Sequence, residues 1–344
     1  MNLREEILEQ PERLSHLLES QQETARKIAQ TIRERQIHYV VIAARGTSDN
    51  AARYATYLWG AFNALPVALA TPSLFTYYQS PPKMRAALVV GISQSGQSPD
   101  IVQVIEEGKR QGCLTLAITN AADSPLAQTA EYHFDICAGA EKAVAATKTY
   151  TAQLMAIAML SAALAGESAL WDDLHRLPEW SQAVFQNEEK IEQAVQRYRY
   201  MERCAVLGRG YNYATAFEWA LKLKELTYVA AEPYSSADFL HGPIAMVQEG
   251  FPVLIAAPQG KIFPSVWQTF QQLQHLRAET VMISNDRQAL RQATTALPIP
   301  EGVPEWLSPL VSIIPAQLFT FYLTLAKGYN PDRPRTIFKV TRTE

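Results

Sequence analysis

Short apolar runs, rich in β-branched residues and separated by stretches with helical spacing, constrain the fold of this chain most strongly. In its first half they occupy residues 39–44, 87–91, 114–119 and 132–136. Parallel strands need long crossover connections, usually helices, so strands that alternate with helices indicate a mostly parallel sheet. The pattern therefore predicts an α/β protein with a doubly wound sheet.

The same order returns in the second half of the chain. Residues 204–210 repeat the first strand and its Gly-containing turn, 253–257 match the second strand, and 280–285 parallel 115–120 almost residue for residue. We therefore predict two flavodoxin-like halves related by duplication. The predicted divisions are an N-terminal helical segment (1–35, with a break or restart at Pro11), a first half (36–165), a helical linker (166–195), a second half (196–328) and a C-terminal tail (329–344).

Composition excludes several classes of protein. The net charge of −3 provides no basic field for nucleic acid, and 48% hydrophobic with 19% charged residues is typical of a soluble globular protein. Cys113, Cys137 and Cys204 lack metal-ligand spacing, so we expect reduced thiols and no metal or other cofactor. Residues 1–6 are too polar for a signal peptide, and the apolar run 154–164 is too short to span a bilayer. We expect a cytoplasmic protein with no membrane partner.

A hydroxyl-rich loop follows the second strand and precedes a helix that begins at Pro99. The first amides of a helix have no intrahelical acceptor and carry partial positive charge, so such a loop favours an anion. Ser48, at the end of the neighbouring strand, is expected to converge on the same group. The second half has Pro258-Gln259-Gly260 at the equivalent place and is less well equipped to hold phosphate. The candidate phosphate donors are Ser48, Ser93, Gln94, Ser95 and Ser98.

A second constellation lies on the helical stretch 217–226. Glu218, Lys222 and Glu225 share one face, and Lys224 points elsewhere. A solvated, salt-bridged face is the alternative interpretation, but apolar flanks and the nearby His241 argue against it. A carboxylate, an ammonium group and an imidazole near a phosphate site suit aldose–ketose isomerisation of a sugar phosphate.

Several spaced motifs, taken together, resemble a known family. Over about residues 35–344 the chain is similar to the double sugar isomerase (SIS) family, such as the isomerase part of glucosamine-6-phosphate synthase. The segments that carry the resemblance are Arg45-Gly46-Thr47-Ser48, Ser93-Gln94-Ser95-Gly96-Gln97-Ser98, Val144-Ala145-Ala146-Thr147-Lys148, Leu207-Gly208-Arg209-Gly210, Glu218–Glu225, His241-Gly242-Pro243 and Pro334-Arg335-Thr336-Ile337-Phe338-Lys339.

The resemblance implies a role for each matching residue. Ser48, Ser93, Gln94, Ser95 and Ser98 would bind the sugar phosphate, and Val144 and Thr147 would line the sugar site. Glu225 would shuttle the proton, with Glu218 and Lys222 completing the polar face. His241 would open the sugar ring from the neighbouring subunit, which implies a homodimer. Lys339, in the C-terminal tail, would contact the anomeric end.

Departures from the family pattern shape the expected reaction. Ala146 replaces a Ser, Arg45 stands where a Cys or small residue is commoner, and Ser98 replaces a Thr. The synthase also has a glutaminase domain that begins with its catalytic Cys, whereas this chain begins Met1-Asn2 and has its first Cys at position 113. We therefore expect the reverse direction, a deaminase that turns glucosamine 6-phosphate into fructose 6-phosphate and ammonia.

Four alternatives remain open. One is an aminotransferase half that a separate glutaminase subunit supplies with ammonia. The substrate could be a larger phosphorylated amine–sugar adduct, which would make the protein a deglycase. It could instead be a ketose or aldose phosphate that is isomerised without loss of nitrogen. A sensor that only binds a sugar phosphate would keep the phosphate loop but would have no need of Glu225, His241 or Lys339.

Overall fold

Two parallel sheets of five strands form the framework of residues 1–339, which are the residues that this computed structural model describes. Residues 340–344, the end of the predicted tail, lie outside the described residues. The strands are β1 Tyr39–Ala44, β2 Val67–Leu69, β3 Ala87–Ile92, β4 Leu114–Thr119, β5 Tyr132–Asp135, β6 Arg203–Gly208, β7 Ala230–Ser235, β8 Pro252–Ala256, β9 Glu279–Ser284 and β10 Thr295–Pro298.

Both sheets have the same strand order. The first runs β2-β1-β3-β4-β5 and the second β7-β6-β8-β9-β10, and all paired strands are parallel. This is the flavodoxin-like order, in which the chain reverses direction across the sheet after the first strand of each half. The prediction of an α/β fold with two doubly wound halves is confirmed.

Helices connect the strands. They are α1 Asn2–Leu8, α2 Gln10–Glu34, α3 Gly46–Asn63, α4 Ser73–Thr76, α5 Pro99–Arg110, α6 Pro125–Thr129, α7 Lys148–Ala165, α8 Ser168–Val184, α9 Glu188–Val195, α10 Tyr213–Thr227, α11 Ser236–Leu240, α12 Phe263–His275, α13 Arg287–Gln292 and α14 Ser308–Ala326. The N-terminal helical segment restarts as predicted, because Pro11 lies in the first turn of α2, where a missing N–H does no harm. The helix after β1 begins at Gly46, earlier than the predicted start near Asn50.

Three strands that the sequence did not reveal, β2, β7 and β10, are edge strands. β2 has only three residues, and β7 contains Glu232 and Pro233. An edge strand has one unpaired side and tolerates proline and charge, so it lacks the continuous apolar run that marks a central strand.

Two helices are buried along nearly their whole length. Every residue of α7 from Lys148 to Ala163 is buried. Within the described part of the chain, Glu305–Ala326 is the one helix long and apolar enough to cross a membrane, and 83% of its apolar window is buried inside the protein. That degree of burial is characteristic of a core helix in a soluble protein.

The chain divides into two compact units. The β1–β5 unit comprises Glu12–Glu141, Lys148–His175 and, at the C-terminus, Phe338 and Lys339. The β6–β10 unit comprises Met1–Pro11, Lys142–Thr147 and Arg176–Ile337. The segment boundaries given above from the sequence remain predictions.

Candidate active site

The loop after β3 is held in shape by its own side chains. Ser93 Oγ accepts a hydrogen bond from the Gly96 amide at 3.1 Å, and Ser95 Oγ accepts one from the Gln97 amide at 3.3 Å. The Gln94 carbonyl accepts from the Asn120 amide at 3.2 Å, which ties the loop to the end of β4. The loop is therefore a preformed structure at the carboxyl end of a buried strand.

Gly96 and Ser98 make this loop suitable for a ligand. Gly96 has φ +62°, and a Cβ there would overlap the Ser124 side chain, so only glycine fits without displacement. Ser98 precedes helix α5, whose first residue is Pro99, and its hydroxyl does not cap that helix. The hydroxyl of Ser98 is thus not used by its own helix.

Ser48 lies at the same edge of the sheet as this loop. β1 and β3 are neighbours, with Ala44 opposite Ile92, so the residues that follow the two strands share one end of the sheet. Ser48 is buried in the first turn of α3, and Gln153 Nε2 donates to its Oγ at 3.0 Å. The structure therefore brings Ser48 and the Ser93–Ser98 loop to the switch point, where ligands of such sheets bind.

Charged groups surround this end of the sheet. Arg45 Nε donates to Asp100 Oδ2 at 2.8 Å, joining the residue after β1 to the first turn of α5. Arg53 pairs with Asp49 at 2.9 Å. Burial raises the pKa of the Asp49 carboxyl, and the charges of Arg53 and Arg45 oppose that rise. Sequence reasoning noted Arg45 only as a departure and missed its partner.

In the β6–β10 unit, helix α10 carries a buried charged trio. Lys222 Nζ lies 2.6 Å from Glu225 Oε2 and 3.4 Å from Glu218 Oε1. The side chains of Glu218 and Lys222 are 0% and 2% exposed, whereas the side chain of Glu225 is 23% exposed. Lys224 is exposed on another face. The alternative of a solvated salt-bridged face is excluded, because two of the three charges are sealed from water.

His241 lies on an exposed loop just after α11. Its backbone amide donates to the Asp238 carbonyl at 3.0 Å, and the following Gly242 adopts φ +132°. Within residues 1–339 the imidazole makes no hydrogen bond or ion pair. Its predicted action in a neighbouring subunit stays a prediction.

The segment Lys142–Thr147 belongs to the same unit as α10. Val144 is half-buried and Thr147 is buried. The Glu6 carboxylate accepts from the Lys142 amide and, at 3.2 Å, from the Ala143 amide, and so anchors the start of the segment. Nothing in the sequence near Glu6 indicates this role.

Lys339 is placed in the β1–β5 unit by a strong ion pair. Its Nζ lies 2.6 Å from Glu141 Oε2, and the Glu141 side chain is fully buried. The same side chain accepts from Thr149 Oγ1 at 2.8 Å and from the Thr149 amide at 3.2 Å. Sequence reasoning found Lys339 but missed Glu141, which fixes the position of the ammonium group.

The predicted site residues thus fall into two groups. The β1–β5 unit holds the phosphate candidates and Lys339, and the β6–β10 unit holds the trio on α10, His241, Val144 and Thr147. Residues 1–339 contain no cluster of three or more His, Cys, Asp or Glu side chains that could hold a metal ion.

Comparisons with known proteins identify the family of this chain. The SIS domain family matches residues 35–163 and 199–327. The glutamine–fructose-6-phosphate aminotransferase (isomerizing) of Pyrococcus horikoshii is 31% identical over 98% of this chain, which spans 57% of that relative's length. The chain therefore spans just over half the length of the curated relatives that it matches.

Solved structures of similar proteins share this fold over nearly the whole chain. The C-terminal domain of glucosamine-fructose-6-phosphate aminotransferase from Francisella tularensis superposes with a TM-score of 0.88 at 26% identity, covering 97% of this chain and 98% of that one. A provisionally assigned phosphosugar isomerase of Silicibacter pomeroyi has a TM-score of 0.87 at 33% identity, covering 96% of this chain and 100% of that one. A glucosamine-6-phosphate deaminase of Thermotoga maritima, with a TM-score of 0.82 over the full length of both chains, is only 20% identical and shows a shared fold alone.

Proposed function

This chain belongs to the SIS domain family, and from that premise we propose that it is an enzyme that converts glucosamine 6-phosphate and water into fructose 6-phosphate and ammonia. The observation that carries the proposal is the buried trio Glu218–Lys222–Glu225. Removing charges from water is costly unless they are paired, so a buried charge cluster calls for a functional reason. A sensor that only holds a phosphate would need the Ser93–Ser98 loop and no such trio.

Exposure distinguishes the two carboxylates of the trio. Glu225 is the partly accessible one, and a base must reach the proton that it removes. Glu218 is fully buried and shares the ammonium group of Lys222, so it balances the charge of Lys222. We therefore assign the proton shuttle to Glu225.

The reaction divides among the site residues as follows. The hydroxyls of Ser48, Ser93, Ser95 and Ser98 and the amide of Gln94 hold the phosphate, and Val144 and Thr147 line the sugar. His241 moves the proton that opens the ring, which leaves an aldehyde at C1 and the amine at C2. Glu225 removes the C2 proton and returns it to C1, while Lys222 and Lys339 stabilise the developing charge on O1. In the same change O1 gains a proton and the amine nitrogen loses one, so that C1 becomes a hydroxymethyl group and C2 an imine. Water then hydrolyses the C2 imine, leaving the ketone at C2 and releasing ammonia.

The state of the thiols supports deamination rather than glutamine-dependent amination by these residues. A cysteine that hydrolyses an amide reacts as a thiolate with a lowered pKa. Burial instead raises the pKa of Cys113, Cys137 and Cys204. None of the three is suited to that role, so we propose that nitrogen leaves as free ammonia.

The first test is Glu225→Gln, assayed for ammonia and fructose 6-phosphate together. We expect kcat to fall by about 10²- to 10⁴-fold, as for the loss of a general base, with substrate binding retained. Glu249→Gln removes an exposed carboxylate and is the matched control. A Glu225→Gln enzyme with the wild-type rate would refute the assignment, and isomerisation by the wild type without ammonia would refute the deaminase.

We also propose that the enzyme is a homodimer in which His241 serves the partner's site. The exposed imidazole, with no partner within residues 1–339, is available for this. Mixing inactive His241→Ala and Glu225→Gln subunits should restore activity, because each mixed dimer contains one site with both groups intact. If subunits exchange and no activity returns, His241 acts within its own chain or not at all.

A further inference from the structure

Helix α7 contains a buried amide that its surroundings do not explain. The residues after it, Leu154 to Leu160, are apolar and at most 1% exposed, and Gln153 itself is 1% exposed. An unbranched apolar side chain of the same length would avoid the cost of burying an amide. Gln153 therefore calls for a reason other than packing.

Its single side-chain hydrogen bond leads to the phosphate site. Gln153 Nε2 donates to Ser48 Oγ at 3.0 Å, and the other end of the amide, Oε1, has no partner among residues 1–339. A buried acceptor left in this way is unusual and asks for an explanation. Ser48 is thus the one hydrogen-bond partner of this amide within those residues, and it receives the N–H end.

The position of Ser48 relative to α7 is held by three further bonds between the same helices. Trp59 Nε1 on α3 donates to the Ile157 carbonyl at 3.1 Å, Asn63 Nδ2 donates to the Ser161 carbonyl at 3.0 Å, and the Ser161 hydroxyl donates to Asn63 Oδ1 at 2.8 Å. These contacts fix α3 against α7. The packing of α3 against α7 thus places the Gln153 amide beside Ser48.

We propose that Gln153 is a positioning residue that orients the Ser48 hydroxyl toward the substrate phosphate. A serine hydroxyl has one proton. When the amide N–H occupies its oxygen, that proton is left for the phosphate, and hydrogen bonds in such a chain strengthen one another. The opposite amide orientation would take the proton for Oε1 and leave Ser48 only as an acceptor. The inference rests on the proposed function in one respect, that Ser48 contacts phosphate.

The experiment is a double-mutant cycle with Gln153→Met and Ser48→Ala, read by calorimetric binding of inorganic phosphate and of fructose 6-phosphate. Methionine keeps the length of the side chain and removes its hydrogen bonding. We expect Gln153→Met to weaken both ligands about three- to tenfold, the usual contribution of one hydrogen bond, and to leave kcat within about twofold. In the Ser48→Ala background it should change neither affinity.

Gln153→Glu is the second variant. When ionised, its carboxylate can only accept, so it draws the Ser48 proton away from the ligand and adds a negative charge. At a pH high enough to ionise it, we expect the phosphate affinity to fall more than about tenfold. Full affinity in Gln153→Met, or an equal loss in the Ser48→Ala background, would overturn the proposal. These binding data are independent of turnover: a wild type that binds phosphate but releases no ammonia would refute only the deaminase. A wild type that binds no phosphate would overturn the role of Gln153 as well.

Discussion

The two sheets share one strand order but treat the loop at the switch point in different ways. After β3, the Ser93–Ser98 loop ends in Ser98, whose hydroxyl does not cap helix α5. After β8, the amides of Lys261 and Ile262, just before helix α12, donate to the Glu305 carboxylate at 2.9 and 3.1 Å. In the β6–β10 unit, the Glu305 carboxylate therefore lies at the position in the fold where the β1–β5 unit has the hydroxyls of the Ser93–Ser98 loop.

The arginine that follows the first strand of each half shows the same divergence. Arg45 and Arg209 both precede a glycine with positive φ, Gly46 at +54° and Gly210 at +60°. Each arginine reaches the helix that follows a strand paired with its own, α5 after β3 and α12 after β8. Arg45 meets the buried Asp100, whereas Arg209 meets the hydroxyl of Ser265. Both halves keep the glycine turn after their first strand, but the residue that the arginine contacts differs between them.

This divergence explains why one duplicated half can bind an anion at its switch point and the other cannot. The N-terminus of a helix attracts an anion, and a carboxylate of the chain satisfies it permanently. A Cβ on Gly260 would overlap the Glu305 side chain, so a glycine at this position lets the loop pack closely against that carboxylate. Burial, with the charge of Glu305 adding to it, raises the pKa of the Tyr211 phenol. The anion position at the switch point of the second half is thus occupied by the chain's own Glu305 carboxylate.

The largest effect is expected from Gly96→Ala, which tests whether the first loop depends on its shape. The new Cβ would meet Ser124 in a left-handed backbone, and strain plus overpacking should cost about 2–4 kcal/mol of folding stability. Phosphate affinity should fall by more than about tenfold, because the loop amides and hydroxyls would be displaced together. Denaturant unfolding and phosphate calorimetry measure the two effects.

Gly112→Ala is the matched control for this change. Gly112 also has positive φ, +76°, but nothing lies within 4 Å of the position that a methyl group would take, so only the backbone penalty of about 1 kcal/mol applies. Its phosphate affinity should equal that of the wild type. Equal losses of affinity in the two variants would show that the loop's close approach to Ser124 is irrelevant to binding.

Glu305→Ala tests the internal anion of the second half. The amides of Lys261 and Ile262 lose a charged acceptor, and we expect the free energy of unfolding to fall by about 2 kcal/mol. Glu305→Gln should lower it by about half as much. If the carboxylate stands in for a ligand anion, added sulfate should raise the melting temperature of Glu305→Ala more than that of the wild type.

Glu301→Ala is the control, because its ion pair with Arg287 is exposed and should contribute at most about 1 kcal/mol. A sulfate response that is the same in Glu305→Ala and the wild type would contradict the idea that the two switch points share an anion position.

The parts of the fold that the sequence predicts correctly are those determined by local sequence patterns, that is, by residues close together along the chain. β3 and β4 are buried on both faces and read as apolar runs, whereas β7, at an edge with Glu232 and Pro233, does not. The Ser93–Ser98 loop and the face of α10 are likewise local patterns.

The supporting residues of the candidate site are decided by distant contacts instead. Gln153 lies 105 residues from Ser48, and Glu141 lies 198 residues from Lys339. Glu305 lies 44 residues from Lys261. A glutamine in an apolar helix or a lone glutamate has no local signature of its partner, because only the fold brings the two together.

The smallest effects are expected from the two arginines, and they test the comparison most directly. Arg45→Met removes a positive charge beside the phosphate loop, and we expect about a threefold loss of phosphate affinity, since the Arg45 side chain is 48% exposed and its charge is screened by salt. Arg209→Met should leave phosphate affinity unchanged. Because screening weakens exposed charges, the affinity gap between the two variants should narrow from about 0.05 to about 0.5 M salt. An equal effect of both variants on phosphate binding would mean that the two switch points have not diverged in the way that Asp100 and Ser265 indicate.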